Sequence, residues 1–410
     1  CLRAATLEPL AYDGPGGLHD ILRTAARIGN GTLLEGPGEP PTKVGLPDDA
    51  LLSLEPGGQL EFSSAPRELF QSTLDQFERY RALLRELQQT FDLHLFHGGV
   101  NPVHTPEQIG LVTPTRRYNI MNDYFPTVGA SGRRMMRQTC SIQVSFDYGD
   151  SQQGAALLRT AQYIAPFAAA LFANAPYLDG RRTGYRSCRA RIWADTDPAR
   201  TGMLPGFTAP LYGFADYTRH VVQAPMFFVQ QERGLVPAGG MTFAEFMERG
   251  FEGREATLAD FALHNSTIFT DVRLKHTVEV RTADCQEPTL FPAVLAFLCG
   301  LLFCERSRLR IRQLLARFSE QELRALPDRL AREGLTGQLN GGTVQELVLE
   351  LIDLAARGLP SCFDDGLAAA DHLRPIRALA EQGQTPADVV LELFGDDARA
   401  WLAAGHVFSI

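Results

Sequence analysis

Four segments of the chain alternate polar and apolar side chains, and this alternation limits the possible folds more than any other feature of the sequence. The segments span residues 53–63, 139–147, 187–197 and 277–284. Successive side chains of a β-strand point to opposite faces, so each segment would have one polar and one apolar face. The pattern predicts strands of antiparallel sheets that cover a hydrophobic core with one face.

The polar face of each segment forms a row of side chains, and the composition of these polar rows distinguishes a catalytic face from a solvated sheet surface. A water-facing row is typically rich in Lys, Thr and Glu, but the four segments contain no lysine. Carboxylate and amide oxygens are ligands that Mg²⁺ prefers, and arginines bind phosphate or carboxylate groups through paired hydrogen bonds. The rows therefore indicate a polar catalytic face, with a solvated sheet surface as the alternative. They consist of Ser53, Glu55, Gly57, Gln59, Glu61 and Ser63; Thr139, Ser141, Gln143, Ser145 and Asp147; Arg189, Arg191, Trp193, Asp195 and Asp197; and Thr277, Glu279 and Arg281.

Helical periodicity dominates the rest of the chain. Residues 66–91 repeat apolar side chains at three- and four-residue steps, and the sequence from Phe291 onward is almost continuously amphipathic. The apolar run 291–304 is shorter than the roughly 20 residues that a membrane span needs, so it predicts a buried helix. We expect an α+β fold with a catalytic core over 1–290 and a mainly helical part over 291–410 that packs on the same domain.

The net charge and the cysteine content limit the possible binding partners and the cellular location. The net charge of -9 gives no basic surface of the kind that nucleic acid requires, and no segment predicts a membrane partner. The seven cysteines are odd in number and form no CxxC pair, which favours reduced thiols and a cytoplasmic location. We expect a monomer or a homodimer.

A cationic segment precedes the last alternating strand. Arg273 and Lys275 would neutralise nucleotide phosphates during phosphoryl transfer, although two cations on a surface loop are the equal alternative. The usual signatures of other mechanisms are absent: there is no GxGxxG before a helix, no GxxxxGK[ST], no HExxH and no GxSxG.

Several motifs in the same order resemble those of the plant-type glutamate-cysteine ligase family, which plants share with many bacteria. They include "SLEPGGQLEFSSAP", "RRYNIMNDYFPTVGASGRRMMRQTCSIQVSFD", "GYRSCRARIWADTDPARTGML", "APMFF", "GMTFAEF" and "HNSTIFTDVRLKHTVEVRTAD". The resemblance implies a glutamine-synthetase-like funnel of antiparallel strands that binds ATP and Mg²⁺. It also implies the substrates glutamate, cysteine and ATP, joined through a γ-glutamyl phosphate in the first step of the synthesis of glutathione or a related thiol.

The resemblance assigns roles to individual residues. Catalysis is expected from Arg281 and Glu279, and amino-acid binding from Arg189, which would receive the glutamate α-carboxylate, and Trp193. The remaining expected groups are metal ligands (Glu55, Glu61, Glu279), phosphate-binding residues (Gln143, Arg273, Lys275) and pocket walls (Tyr118, Tyr124, Met135, Tyr217). One difference from the family pattern lies next to Arg281: the family usually has glycine at the position of Thr282.

Three other functions remain open at this point. A carboxylate-amine ligase of the same fold with a different amine or acid is the nearest, since one methylene or thiol changes affinity by only ~1–3 kcal/mol. A hydrolase with Cys1 as its N-terminal nucleophile and a non-catalytic binding protein are the other two.

Overall fold

The computed structural model describes residues 1–36 and 38–405 and contains both helices and small, mostly antiparallel sheets. This confirms the predicted α+β class. Helices account for more of the described chain than strands do, and from residue 291 onward they follow one another with only short interruptions.

Many helices begin at a side-chain cap, which satisfies backbone N–H groups that have no partner inside the helix. Thr257, Ser319 and Thr343 each accept a hydrogen bond from the backbone N–H three residues further on. The helices are α1 (Leu18–Ile28), α2 (Phe70–Thr90), α3 (Pro106–Ile109), α4 (Arg116–Tyr124), α5 (Gly132–Gln138), α6 (Ser151–Leu171), α7 (Cys188–Ala194), α8 (Phe214–Gln223), α9 (Phe243–Arg249), α10 (Leu258–Asn265), α11 (Phe291–Leu302), α12 (Glu305–Leu315), α13 (Glu320–Glu333), α14 (Val344–Gly358), α15 (Gly366–Asp371), α16 (Arg374–Glu381), α17 (Pro386–Phe394) and α18 (Ala398–Ala404).

The strands are short. They are β1 (Leu2–Arg3), β2 (Thr32–Leu34), β3 (Lys43–Gly45), β4 (Leu51–Leu54), β5 (Leu60–Ser63), β6 (Leu93–His94), β7 (Ser141–Phe146), β8 (Tyr177–Leu178), β9 (Arg181–Arg182), β10 (Thr201–Gly202), β11 (Phe228–Gln231), β12 (Gly234–Pro237), β13 (Phe269–Thr270), β14 (Val272–Leu274), β15 (Val278–Asp284), β16 (Gln338–Leu339) and β17 (Gly342–Thr343). Two sheets position the site described below: the four-stranded sheet β2-β3-β4-β5 and the three-stranded sheet β14-β15-β7.

One face of the three-stranded sheet lies on the main hydrophobic core. Phe146, Val278 and Val280 are at most 1% exposed, and they pack with apolar residues of α6, α11 and α14. Burying one such side chain stabilises the fold by about 1.5–3 kcal/mol. The strand backbone is thereby held rigid from behind, and its other face is free to carry polar groups.

The apolar run that begins at Phe291 forms the buried helix α11, as predicted. Every residue from Ala293 to Leu302 is buried, and the helix packs against α14. A Cβ atom on Gly300 would overlap the backbone of Ala355, so glycine is needed for this close approach. Among the described residues, no helix combines the length and the apolar composition that crossing a bilayer requires.

The prediction of a strand over 187–197 is wrong, because this segment contains helix α7. Ser187 caps the helix by accepting a hydrogen bond from the backbone N–H of Ala190. Local capping and the helix propensity of Arg and Ala outweigh the short alternating pattern. Arg191 is therefore exposed on one side of the helix, and Asp197 lies beyond its end.

Candidate active site

The three-stranded sheet carries a row of polar side chains across its strands. Arg273 of β14 lies opposite Glu279 of β15, and Glu279 lies opposite Ser145 of β7. Residues of the other parity face the core, as the alternation predicted for 139–147 and 277–284: they are Val272, Val280 and Val144. The sheet therefore separates an apolar side from a polar side.

A β-bulge interrupts the pairing of β15 with β7. The ladder stops at Val280 and resumes at Ala283, so Arg281 and Thr282 together lie opposite Gln143. Bulges bend a strand and redirect its side chains, and they are frequent next to active sites. Here Nη1 of Arg281 donates a hydrogen bond to Oε1 of Gln143 at 2.5 Å.

Glu279 is surrounded by three cationic side chains. Its Oε2 atom lies 2.6 Å from Nε of Arg273 and 3.0 Å from Nη1 of Arg281, and its Oε1 atom lies 3.8 Å from Nζ of Lys275. Burial alone would raise the pKa of Glu279, but Arg281 and Arg273 lower it to about 2. Three cations and one carboxylate leave an excess of two positive charges, which is suited to phosphate binding.

The hairpin of β4 and β5 presents the two predicted acidic residues. Ser53 pairs with Glu61, and the backbone N–H of Glu55 donates to the carbonyl of Gln59 at 2.9 Å. Gly58 closes the turn with a φ of 79°, a conformation that glycine adopts without strain. Because side chains directly opposite each other share a face, this register places Glu55 and Glu61 on the same face of the hairpin.

Hydrogen bonds attach the hairpin turn to the end of helix α5, which directly precedes β7, and to the loop at Thr113. Nε2 of Gln59 donates to the carbonyl oxygens of Met136 and Thr139, each at 3.2 Å. The hydroxyl of Thr113 donates to the carbonyl of Glu55 at 2.6 Å. These contacts hold the acidic face of the hairpin beside the polar face of the three-stranded sheet.

Charges from outside the hairpin act on Glu55. Burial and the neighbouring Glu61 raise the pKa of Glu55 to about 7, while Arg117 and Arg281 act in the opposite direction. Burial and the Glu55 carboxylate also raise the pKa of the Tyr118 hydroxyl. Two carboxylates that repel each other in a half-buried place are stabilised by a cation.

Two of the three predicted metal ligands suit Mg²⁺ better than the third does. Glu55 and Glu61 supply the hard oxygen atoms that the ion prefers. The oxygens of Glu279, however, already face three cations, and its role as a metal ligand stays a prediction. In the part of the chain that the structure describes, no three or more His, Cys, Asp or Glu side chains are grouped so as to hold a metal.

Helix α7 brings Arg189 and Trp193 to the bulge. The two residues are four positions apart, and Cζ of Arg189 lies 5.9 Å from the centre of the Trp193 ring. Arg189 donates to the carbonyl oxygens of Thr282 at 3.2 Å and Arg281 at 2.9 Å, and it lies 3.6 Å from the Asp284 carboxylate. The predicted amino-acid residues therefore adjoin the backbone of Arg281, which is predicted to be catalytic.

The four residues predicted as pocket walls have different surroundings. Tyr118 lies at the site, next to Glu55. The hydroxyl of Tyr124 accepts a hydrogen bond from Arg200 at 3.3 Å within an aromatic cluster. Met135 and Tyr217 are only 7% and 1% exposed, and their role as pocket walls stays a prediction.

Sequence reasoning missed three charged residues in or near this site. Arg117 donates a hydrogen bond to Ser266 and partly offsets the rise in the pKa of Glu55. Asp271 lies opposite Arg281, and Arg200 is fully buried. Asp271 had a detectable signal, since it has the same parity as Arg273 in the strand that follows. The position of Arg117 depends on how α4 packs, which no local pattern reveals.

The raised pKa of Glu55 predicts a pH-dependent stability. Its carboxyl is easier to protonate in the folded state, so its contribution is present below pH 4.5 and is lost as the pH rises through about 7. Without metal, Glu55→Gln is expected to stabilise the protein at pH 8 by on the order of 1–3 kcal/mol relative to wild type. Urea unfolding in the presence of a chelator at pH 5.5 and pH 8 measures this difference. Glu68→Gln, which replaces an exposed glutamate, is the control. The prediction would be contradicted if the difference in unfolding free energy between wild type and Glu55→Gln were the same at both pH values.

Comparison with known proteins identifies the family. The model of glutamate-cysteine ligase family 2 matches residues 1–401. Glutamate–cysteine ligase B, chloroplastic, of Oryza sativa subsp. japonica is 33% identical over 393 residues, which cover 95% of this chain and 77% of the rice protein. The chloroplastic glutamate–cysteine ligase of Medicago truncatula is 33% identical over 346 residues, which cover 84% of this chain and 67% of the relative. The chain therefore belongs to glutamate-cysteine ligase family 2.

Proposed function

We propose that the chain catalyses the ATP-dependent ligation of the γ-carboxyl group of L-glutamate to the amine of L-cysteine, the first step of glutathione or related thiol synthesis. The observation that carries this proposal is the position of the cationic cluster around Glu279 beside the acidic hairpin, in a chain of this family. A carboxylate does not react with an amine until one of its oxygens becomes a leaving group. Transfer of a phosphoryl group from ATP supplies that leaving group.

The cationic cluster is suited to the first half-reaction. The γ-carboxylate of glutamate attacks the γ-phosphorus of ATP, the bond from this phosphorus to the bridging oxygen breaks, and ADP leaves. Arg273, Lys275 and Arg281 would bind the phosphates and disperse the negative charge of the transferring group. Gln143 holds Arg281 in place through its 2.5 Å hydrogen bond.

Magnesium would be held by Glu55 and Glu61. Bound there, Mg²⁺ supplies screening of the negative triphosphate against the attacking carboxylate. We retain Glu279 as a third proposed ligand through Oε1, since its contact with Lys275 at 3.8 Å is the longest of the three. Arg117 lies close enough to affect the pKa of Glu55 and adds positive charge at this side of the site.

The second half-reaction needs glutamate to be held beside this cluster. The amine of cysteine attacks the acyl carbon of γ-glutamyl phosphate, the carbon–oxygen bond to phosphate breaks, and the amine loses a proton. We propose that Arg189 and Trp193 bind glutamate. Nε of Arg189 and Nε1 of Trp193 are buried and have no hydrogen-bond partner among the described residues, so both can donate to a substrate.

The architecture proposed for this chemistry extends beyond the two sheets. We propose a glutamine-synthetase-like funnel, with residues 1–290 as catalytic core and residues 291–410 packed on the same domain. The core cluster that contains residues of β7, β15, α11 and α14 supports this arrangement. A cytoplasmic monomer or homodimer remains our proposal, and the absence of disulfides among the seven cysteines is compatible with it.

The proposed reaction is tested with the full chain, Mg²⁺-ATP, glutamate and a panel of amines. We expect ADP, phosphate and γ-glutamylcysteine in equal amounts with cysteine, and far slower turnover with serine, alanine, glycine or γ-aminobutyrate. Phosphate release and mass spectrometry measure the products. Turnover that ignores cysteine but requires another amine would instead support a different carboxylate-amine ligase.

A further inference from the structure

Two cysteines lie side by side in the helical part of the chain, where α12 begins and α14 ends. Cys304 directly precedes α12, and Sγ of Cys362 donates a hydrogen bond to the carbonyl oxygen of Gly358, the last residue of α14, at 3.2 Å. A Cβ atom on Gly358 would lie only 3.0 Å from Cβ of Cys304. The two thiol side chains are within hydrogen-bond distance of each other, and both are free.

Aromatic contacts fix the backbone next to both cysteines. Phe303 and Phe363, their sequence neighbours, pack edge to face with ring centres 5.9 Å apart. Phe303 also packs against Phe146 of β7 at 5.0 Å, and Phe363 packs against Phe70 of α2 at 6.0 Å. Edge-to-face pairs of this kind stabilise a defined packing. The two thiols are therefore held together in advance, as a disulfide that forms without movement of the backbone requires.

The two thiols differ in acidity. Burial acts to raise the pKa of Cys304, but contacts with Ser307 and the backbone N–H of Arg306 outweigh it. Together with the positive charge of Arg308, they lower the pKa of the Cys304 thiol below its ordinary value. Burial and the neighbouring Cys304 raise the pKa of Cys362 to about 11. Because the thiolate is the nucleophilic form of cysteine, Cys304 is the more reactive of the two.

Arg308 supplies positive charge to this pair. Its Nη1 atom donates to the carbonyl oxygens of Leu302 at 2.6 Å and Phe303 at 2.8 Å, which fixes the guanidinium beside the turn that carries Cys304. Arg308 is 7% exposed, and no carboxylate within residues 1–36 and 38–405 forms an ion pair with it. Its charge acts on both thiols. A buried arginine without a carboxylate partner is suited to stabilise a thiolate.

An open groove gives solvent access to the pair. It has a volume of about 630 Å³, and Phe303, Cys362 and Phe363 are among the residues that line it. Cys362 is half-buried, whereas Cys304 is 8% exposed. This limited exposure favours an oxidant as small as a hydroperoxide over a bulky disulfide.

We propose that Cys304 and Cys362 form a peroxide-reactive dithiol, in which Cys304 attacks the oxidant and Cys362 resolves the product. The Cys304 sulfur attacks one oxygen of hydrogen peroxide, the oxygen–oxygen bond breaks, and the leaving hydroxide takes up a proton to become water. The Cys362 sulfur then attacks the Cys304 sulfenic acid, the sulfur–oxygen bond breaks, and the hydroxide leaves with the Cys362 proton as a second water. Two thiols are oxidised to one disulfide, and one peroxide is reduced to two waters. This chemistry does not depend on the proposed ligase reaction.

The test maps the thiols of the reduced full chain after treatment with hydrogen peroxide. Unreacted thiols are blocked with N-ethylmaleimide, and chymotryptic peptides are identified by mass spectrometry, since cleavage after Phe303 separates Cys304 from Cys299. We expect the loss of two of the seven thiols, a disulfide between Cys304 and Cys362, and recovery of both thiols with dithiothreitol. Cys304 is expected to react at least about tenfold faster than Cys299, whose pKa is raised to about 12 by burial.

This mapping uses wild-type protein, so its result does not depend on the folding of any variant. A disulfide between any other two cysteines, or loss of all seven thiols at similar rates, would overturn the inference.

Three variants separate the roles of the two thiols. Cys362→Ser is expected to form no disulfide and to accumulate the sulfenic acid of Cys304, which dimedone traps. Cys304→Ser is expected to leave Cys362 reduced. Cys299→Ala, in the adjacent helix α11, is the matched control and should form the disulfide at the wild-type rate. Oxidation of Cys362 in Cys304→Ser as fast as in wild type would show that Cys304 is not the attacking thiol.

Discussion

Replacing Arg281 by methionine is expected to lower kcat by about 10²–10³-fold, because we propose that the arginine stabilises negative charge that develops during phosphoryl transfer. Its guanidinium contacts both Gln143 and Glu279, so its position is fixed before the substrate binds. The lost hydrogen bonds would also leave the bulge without its polar anchor. Steady-state rates of ADP release at saturating glutamate, cysteine and Mg²⁺-ATP measure the effect.

Arg191→Met is the matched control for this substitution. Arg191 lies on the exposed side of α7, although its alternating position in the sequence placed it on the predicted polar row. We expect its kcat to stay within about twofold of wild type. A kcat for Arg281→Met within threefold of wild type would contradict the role proposed for Arg281.

Replacing Arg200 by methionine is expected to destabilise the fold by about 3–5 kcal/mol, because it leaves a buried carboxylate uncompensated. The Arg200 side chain is 0% exposed, and its Nε atom lies 2.6 Å from the carboxylate of Asp197. The guanidinium also packs on the ring of Phe227, with Cζ 3.9 Å from the ring centre, and donates to the carbonyl of Pro225 at 2.5 Å. Urea unfolding followed by fluorescence and circular dichroism measures the change.

The double substitution Arg200→Met with Asp197→Leu separates the lost charge from the lost packing. Removal of both charges is expected to recover part of the stability, since the isolated carboxylate is then absent. Arg219→Met provides an exposed control, because Arg219 forms a surface ion pair with Asp216 that contributes at most about 1 kcal/mol. A loss below 1 kcal/mol for Arg200→Met would show that the buried pair is not a structural element.

The length and the surroundings of each segment decided whether its alternating pattern formed a strand. The alternation in β7 and β15 correctly predicted which residues face the core, since a two-sided sheet must place its apolar residues on the buried side. The same pattern over 187–197 was misleading, because seven residues between a serine cap and an aspartate can also form two turns of helix. Arg189 and Trp193 would share one face in either case, but only the helix makes them neighbours, since residues four apart are adjacent on a helix surface.

In the candidate site, too, some features could be predicted from local sequence patterns and others could not. The acidic pair Glu55 and Glu61, the basic residues Arg273 and Lys275, and the strand with Glu279 and Arg281 were visible as local patterns. The distances between these residues could not be predicted, because they depend on how Gln59 attaches the hairpin to the end of α5 and on where the bulge interrupts β15.

The amino-acid sequence by itself determined the alternating strands, the buried helix α11, the helical character after residue 291 and the family of the chain. Only the tertiary structure decided that Glu279 lies among three cationic side chains and that Arg200 and Asp197 form a buried pair. The physical reason is that periodicity and capping act over a few residues. Charge pairing and desolvation depend instead on groups far apart in the chain, which meet only when the sheets and helices pack.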